Sequence, residues 1–147
     1  MSVDTAAVET ANQAFYTAIE SADLDRMTEI WAEDFGDSLV SCVHPGWTQL
    51  SGRAAVLRSW ALIMANTTYI QFVLTDVNTR VLGDTAVLTC VENILTAGEE
   101  GDASFAAGKV VASNVYIKTP QGWRLWMHHS SPVLQSDEEE AEGGIDL

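Results

Sequence analysis

Three histidines are the residues of this chain best suited to acid–base chemistry. A histidine side chain has an ordinary pKa of about 6.5, so it can accept or donate a proton near neutral pH. His44 stands immediately before a Pro-Gly pair, which is typical of a turn. We predict that His44 is an acid–base group. The alternative is a structural histidine whose ring caps that turn.

His128 and His129 are neighbours in a segment that alternates like a β-strand, so their side chains must point to opposite faces. Leu125 and Met127 share a face with His129, and this face is the more apolar toward its start. We therefore expect His129 to face the interior and His128 the outer surface. Trp126 shares that outer surface in this interpretation, and an exposed tryptophan favours a partner that covers it.

A metal site is a weaker interpretation of the same residues. The three histidines and Glu92 are enough ligands for a zinc ion. However, no two histidines have the HxH or HxxxH spacing that places both rings on one side of a strand or helix. We expect neither a metal nor any other cofactor.

Several tryptophans could serve either packing or ligand binding. Trp31 and Trp60 recur at the spacing of a helical core, which favours packing. Trp47 follows the Pro-Gly turn and could form the mouth of a pocket. Its indole ring could stack on a flat ligand while its N–H binds a polar group, although ordinary packing explains it nearly as well.

The spacing of apolar residues predicts helices first and strands afterwards. Apolar residues three and four positions apart indicate a first helix that ends near residue 20. A second helix is capped by Asp23 and continues to Phe35, and a third follows Ser51. Predicted strands cover residues 39–44, 69–82, 85–96, 109–118 and 123–130, with a polar loop at 97–108.

This order predicts the α+β class, since βαβ units would alternate helices with strands. Three N-terminal helices packed on a curved antiparallel sheet would leave a cone-shaped cavity. We expect one domain, residues 1–134. Residues 135–147 carry an acidic run and are expected to form a disordered tail.

Composition and charge exclude several classes of partner. The 147 residues suit a single domain, and the net charge is −14. Six acidic residues lie in the last eleven positions, and the rest of the chain still carries 15 acids against 7 bases. A surface this acidic repels phosphate and anionic lipid. We therefore expect no nucleic-acid and no membrane partner.

The N-terminus and the cysteines favour a cytoplasmic protein. The first residues lack the basic and apolar regions of a signal peptide, and no apolar run reaches the roughly 18 residues that span a bilayer. Cys42 and Cys90 both lie in apolar segments without a CxxC spacing. We expect them to be buried, reduced thiols; a disulfide is the alternative, because the sequence does not give their Cα separation.

Seven short segments, in this order and spacing, resemble the NTF2-like superfamily, and the fourth and the last two resemble its SnoaL-like subgroup. The resemblance covers residues 5–133. It implies a cone-shaped α+β barrel with one internal pocket, and a homodimer through the outer sheet face. The segments are FYTAI (15–19), ADLD (22–25), IWAED (30–34), HPGW (44–47), SGRAAV (51–56), WRL (123–125) and HHSSP (128–132).

The resemblance does not imply one activity, because the superfamily includes ketosteroid isomerases, polyketide cyclases, dehydratases, transport factors and association domains. Ketosteroid isomerases use a carboxylate base and an oxyanion hole formed by Tyr and protonated Asp. Here Phe15, His44 and Asn114 stand at the matching positions, so that mechanism is not expected. Tyr16 is a doubtful substitute, because it lies about 100° around the helix from Phe15.

The residues and the resemblance together predict a small-molecule-binding protein for a flat, partly apolar ligand. If it is an enzyme, we expect a cofactor-independent isomerase, dehydratase or cyclase. His44 would be the acid–base group, Asn114 would orient a ligand oxygen through its amide, and His129 would be a second polar group. Asn114 could equally be a buried amide that satisfies a strand. The predicted pocket residues are Phe15, Trp47, Trp60, Tyr116 and Met127.

The alternative function is a non-catalytic, dimeric binding or association module. In that case the same fold is a scaffold and the histidines are structural. Protein transport is a weaker third interpretation, since nothing in the composition favours it.

Overall fold

The computed structural model describes residues 2–97 and 105–134. The predicted tail, and residues 98–104 of the predicted loop, lie outside them. Helices precede the long strands, as expected for the α+β class. The helices are α1 (Val3–Glu20), α2 (Leu24–Ile30) and α3 (Arg53–Ala65), and the strands are β1 (Ser41–Val43), β2 (Leu50–Ser51), β3 (Ile70–Leu82), β4 (Thr85–Ala97), β5 (Phe105–Thr119) and β6 (Gly122–Pro132).

Side-chain caps define where the first two helices begin. The Ser2 hydroxyl accepts a hydrogen bond from the Thr5 backbone N–H at the start of α1. The Asp23 carboxylate accepts from the Arg26 N–H at the start of α2, which confirms the predicted cap. Each cap satisfies a backbone donor that would otherwise have no partner in the helix.

α2 ends at Ile30, so its predicted continuation to Phe35 is wrong. The Arg53 guanidinium donates hydrogen bonds to the carbonyls of Thr28, Trp31 and Ala32. These carbonyls lie at the end of α2. The Arg53 N–H groups replace the backbone N–H donors that a further helical turn would supply. The chain turns away there, and the Phe35 side chain is 64% exposed.

In the described part of the chain, six strands form one open, mixed sheet in the order β2-β1-β6-β5-β4-β3. The four long strands are antiparallel to their neighbours, as predicted, but β1 pairs with β6 in parallel. The sheet is therefore not wholly antiparallel. β5 begins at Phe105, so the part of the predicted loop from 105 to 108 is a strand.

A β-bulge in β6 changes which residues face the interior. Val115 of β5 pairs with Met127, and the next residue, Tyr116, pairs with Leu125. Trp126 therefore lies in β6 without a partner in β5. Such an extra residue breaks the strict alternation of side chains between the two faces of a strand.

The core lies between the inner face of the sheet and the helices. Both cysteines are buried there and neither is in a disulfide, as predicted. No helix within the described ranges is long and apolar enough to cross a membrane. Large side chains of this core include Phe15, Tyr16, Met27, Trp31, Leu88, Tyr116 and Leu125.

Candidate functional site

A cavity of about 240 Å³ opens between α3, the end of α1 and the inner face of the sheet. Its wall is mostly apolar, with four polar side chains. The apolar residues are Ile19, Pro45, Trp47, Trp60, Ile63, Ile70, Phe72 and Ile94. The polar residues are His44, Glu92, His128 and Ser130.

Burial shifts the pKa of Glu92 into the range that suits acid–base chemistry near neutral pH. Strand alternation in β4 turns it inward together with Leu88 and Cys90, and it is only 3% exposed. Its Oε2 accepts a hydrogen bond of 2.5 Å from the Tyr16 hydroxyl, and its Oε1 forms none with any described residue. Burial raises the pKa of Glu92 to about 7, although the Tyr16 bond acts in the opposite direction.

Asn114 links Glu92 to His128 through a buried hydrogen-bond network. The Asn114 Nδ2 donates to the Tyr16 hydroxyl oxygen at 3.3 Å and to the Asn12 Oδ1 at 2.8 Å. The Asn114 Oδ1 lies 2.5 Å from the His128 Nδ1. These contacts occupy both polar atoms of the Asn114 amide, so it holds Tyr16 and His128 in place. No polar atom of Asn114 is therefore left free to orient a ligand oxygen, which is the role that we predicted for it.

The network determines which nitrogen of His128 carries hydrogen. A phenol has one hydrogen, and Tyr16 donates it to Glu92, so the Tyr16 oxygen must accept from Asn114. The Asn114 oxygen consequently faces His128, and His128 must donate through Nδ1. Its Nε2 then carries a lone pair. Burial, with smaller contributions from His44 and His129, lowers the pKa of His128 to about 3, so the ring stays neutral.

His44 lies in the opposite part of the cavity wall and is also neutral. Its ring makes edge-on contacts with Trp47 and Trp60 at centroid distances of 4.7 and 4.6 Å. The Ser59 hydroxyl donates to the Val56 carbonyl and lies 2.8 Å from the His44 Nε2, so it must accept a hydrogen from that nitrogen. Burial lowers the pKa of His44 to about 4, which makes it a poor acid at pH 7.

The bulge in β6 places the two neighbouring histidines opposite to our expectation. His128 is buried and lines the cavity, whereas His129 is exposed. The prediction that His129 faces the interior is therefore wrong. The physical reason is Trp126, the extra residue of the bulge. It shifts the alternation of side chains by one position, so Leu125 and His129 do not share a face.

The predicted pocket residues divide into three groups. Trp47 and Trp60 line the cavity. Phe15 and Tyr116 are fully buried in the core and are not part of its wall. Met127 lies in a separate surface depression beside Trp126, so the prediction that it lines the pocket is wrong, and the bulge is again the reason.

Glu92 and Tyr16 belong to the candidate site but are not among the residues predicted for it. The alternation of Ala86, Leu88 and Cys90 with more polar residues was a signal that Glu92 also faces inward. Tyr16 lies about 100° around α1 from Phe15, yet both side chains are buried. Asn12 lies one helical turn before Tyr16, and a polar residue on that face indicates a buried polar network.

The described residues contain no cluster of three or more His, Cys, Asp or Glu side chains arranged to hold a metal ion. Glu92 and the two buried histidines instead bind Tyr16, Asn114 and Ser59.

The similar solved structures include proteins from Streptomyces avermitilis and Thiobacillus denitrificans. A protein from Streptomyces avermitilis, provisionally assigned as a dehydratase of the NTF2-like family, is 50% identical, with 90% of this chain and 98% of that chain covered and a TM-score of 0.85. A protein from Thiobacillus denitrificans, provisionally assigned as a calcium/calmodulin-dependent protein kinase type II association domain, is 32% identical, with coverages of 86% and 94% and a TM-score of 0.73.

Sequence comparison places the chain in a family. The F-box protein SKIP8 of Arabidopsis thaliana is 27% identical over 135 residues, which are 92% of this chain and 53% of that protein. The chain thus spans about half the length of the curated relative it matches. The SnoaL-like domain family matches residues 8–135. The chain therefore belongs to the SnoaL-like family and has the NTF2-like fold of its solved relatives.

Proposed function

We propose that this protein is a cofactor-independent acid–base enzyme, an isomerase or a dehydratase, that acts on a small, partly apolar molecule in the cavity. The observation that carries the proposal is Glu92: a buried carboxyl with one oxygen bound by Tyr16 and the other free toward the cavity. A group whose pKa lies near the working pH is the most effective general base. The acid–base role that we predicted for His44 therefore passes to Glu92.

The reaction needs one proton acceptor that can also return the proton. Glu92 removes a proton from a carbon next to a carbonyl group, and the electron pair of the broken C–H bond moves toward the carbonyl oxygen. In an isomerisation the proton returns to another carbon. In a dehydration it passes to a β-hydroxyl group, which leaves as water while a C=C bond forms. Neither route requires an oxidant, a reductant or a metal.

Tyr16 and the two histidines have supporting roles in this proposal. Tyr16 keeps the Glu92 carboxyl in one orientation through its short hydrogen bond. His44 and His128 are neutral, so they position the substrate by accepting hydrogen bonds and do not act as acids. Trp47 and Trp60 provide flat apolar surfaces for a ring. The dehydratase assignment of the Streptomyces avermitilis relative, which is 50% identical, supports the elimination route.

A simple β-hydroxy ketone can test this proposal without knowledge of the natural substrate. In D2O, 3-hydroxycyclohexanone exchanges the protons next to its carbonyl group, and its dehydration gives cyclohexenone. Both changes are visible by NMR. We expect the wild-type protein to accelerate exchange over buffer and Glu92→Gln to lose about 100-fold of that acceleration, a typical contribution of a general base.

Glu29→Gln is the matched control, because Glu29 is exposed on α2 and lies outside the cavity. It should exchange at the wild-type rate. A Glu92→Gln variant as fast as the wild type, or a wild-type protein no faster than buffer, would contradict the proposal.

A non-catalytic association module is the second candidate. The relative from Thiobacillus denitrificans, which is 32% identical, is provisionally an association domain, and such a domain needs a fold that assembles but no reaction. We propose that this chain also forms a homodimer through its outer sheet face, where Val73 and Val111 are 59% and 45% exposed. A dimer that catalyses no exchange and binds no small molecule would favour this second candidate.

A further inference from the structure

The hydrogen-bonding atoms left free in the cavity wall are mostly acceptors. Two of them follow directly from the buried network. The Glu92 Oε1 has no partner among the described residues, while its Oε2 is bound by Tyr16. The His128 Nε2 carries a lone pair because Nδ1 donates to Asn114, and it too has no partner in the described part of the chain.

His44 adds a third acceptor. Its Nε2 donates to Ser59, so its Nδ1 carries the lone pair. The Cys42 Sγ lies 3.9 Å from that nitrogen and 3.7 Å from Nε2, and a thiol is a weak donor. A hydroxyl group would displace this contact with a stronger hydrogen bond.

Free donors are fewer. The Trp60 indole N–H is buried in the wall and has no acceptor among the described residues. The Ser130 hydroxyl donates to the Val43 carbonyl, at a long 3.4 Å. Trp60 contacts both histidine rings, His44 at 4.6 Å and His128 at 6.0 Å between centroids, but its N–H is shielded from solvent and is not a donor that the cavity offers.

We infer that the cavity selects a hydroxylated ring compound, a ligand that donates at least two hydrogen bonds. The inference rests on the proposed function only in taking this cavity as the ligand site. A buried acceptor without a donor costs free energy, so a ligand without hydroxyl groups would leave Glu92 and His128 unsatisfied. For the proposed reaction, this identifies a ring carbonyl compound with additional hydroxyl groups.

Three ring compounds that differ only in their donors test the inference. Resorcinol has two hydroxyl groups, 3-methoxyphenol has one, and 1,3-dimethoxybenzene has none. Binding is measured by calorimetry near pH 8, where Glu92 is ionised. We expect the affinity to fall about tenfold with each hydroxyl group replaced, because a hydrogen bond to such a group contributes on the order of one factor of ten.

The Glu92→Gln variant provides the sharper comparison, because it exchanges a free acceptor for a donor at constant shape. We expect it to reduce the preference for resorcinol over 1,3-dimethoxybenzene by about tenfold. Glu29→Gln should keep the wild-type preference. Tryptophan fluorescence is expected to report the same order of affinities, since Trp47 and Trp60 line the cavity.

Equal affinity for the three compounds, tighter binding of 1,3-dimethoxybenzene, or no binding of any of them at millimolar concentration would overturn the inference. Because binding is measured without turnover, this outcome is separate from that of the exchange assay. Resorcinol preference without catalysis would support the inference and contradict the proposed enzyme. Catalysis without that preference would support the proposed enzyme and contradict the inference.

Discussion

At the scale of single residues, the chemistry of the site depends on a carboxyl group in an apolar cavity. Water stabilises an ionised carboxylate, and removing that water raises the pKa of Glu92 to about 7. Tyr16 offsets part of this cost by donating a hydrogen bond. The sequence supplies the residue types, and alternation in β4 indicates that Glu92 faces inward. It does not reveal how completely the fold removes water from that carboxyl, which is what brings its pKa near neutral pH.

The raised pKa of Glu92 makes the stability of the protein depend on pH. The folded chain binds this proton more tightly than the unfolded chain, so the contribution is present below the ordinary pKa of 4.5 and is lost as the pH rises through about 7. A glutamine side chain does not ionise, so the Glu92→Gln variant loses no such contribution to stability as the pH rises. The variant should therefore gain roughly 2–3 kcal/mol in free energy of unfolding, relative to wild type, between about pH 5 and about pH 8.

Urea unfolding of both proteins at the two pH values measures this difference. The low pKa values of His44 and His128 also change stability, but they do so equally in both proteins and cancel. Glu29→Gln should show no such gain. If the difference in free energy of unfolding between Glu92→Gln and wild type were the same at both pH values, the pKa of Glu92 would be ordinary.

At the scale of elements, alternation predicted the strands well and failed at one bulge. The long strands were found within a few residues at most ends, because their side chains alternate and turn residues separate them. β2 has only two residues and was missed, since such a length carries no pattern. The bulge at Trp126 depends on pairing with β5, so nothing in the β6 sequence alone could indicate that His128 turns inward.

Opposite faces of β6 should respond differently to substitution. His128→Ala removes a buried ring and leaves the Asn114 oxygen without its donor, so we expect a loss of about 2–4 kcal/mol in free energy of unfolding. His129→Ala removes an exposed side chain and should change stability by less than about 0.5 kcal/mol. Chemical unfolding of the two variants checks the bulge, and a larger loss for His129→Ala would contradict it.

At the scale of the whole molecule, the order of helices and strands was enough to predict the α+β class, while the family followed from the resemblance of seven short segments. It did not predict that β1 joins β6 in parallel, because a three-residue strand gives no information about its partner. It also did not determine which side chains meet in the cavity. Tyr16 and Glu92 are 76 positions apart in the chain, and only the packing of α1 against β4 brings them together.

The proposed homodimer is a property of the outer sheet face. Val111 lies between two inward-facing residues, Val110 and Ala112, so its own side chain points outward. Val111→Glu would bury a charge in that interface, and we expect the dimer to dissociate. Leu82→Glu is the matched control, because Leu82 is 87% exposed beside a hairpin turn and should leave assembly unchanged.

Sedimentation velocity of the three proteins distinguishes the outcomes. The wild type and Leu82→Glu should sediment as dimers, and Val111→Glu as a monomer. A monomeric wild type, or a Val111→Glu variant that remains dimeric, would exclude this face as the interface.

The pH dependence of proton exchange in 3-hydroxycyclohexanone tests the central claim most directly. Only the ionised form of Glu92 can remove a proton, so the catalysed rate should rise as the pH increases and should level off above about 7. The Glu92→Gln variant should lack this rise. A midpoint near the ordinary glutamate pKa of 4.5, or the same rise in Glu92→Gln, would contradict the account.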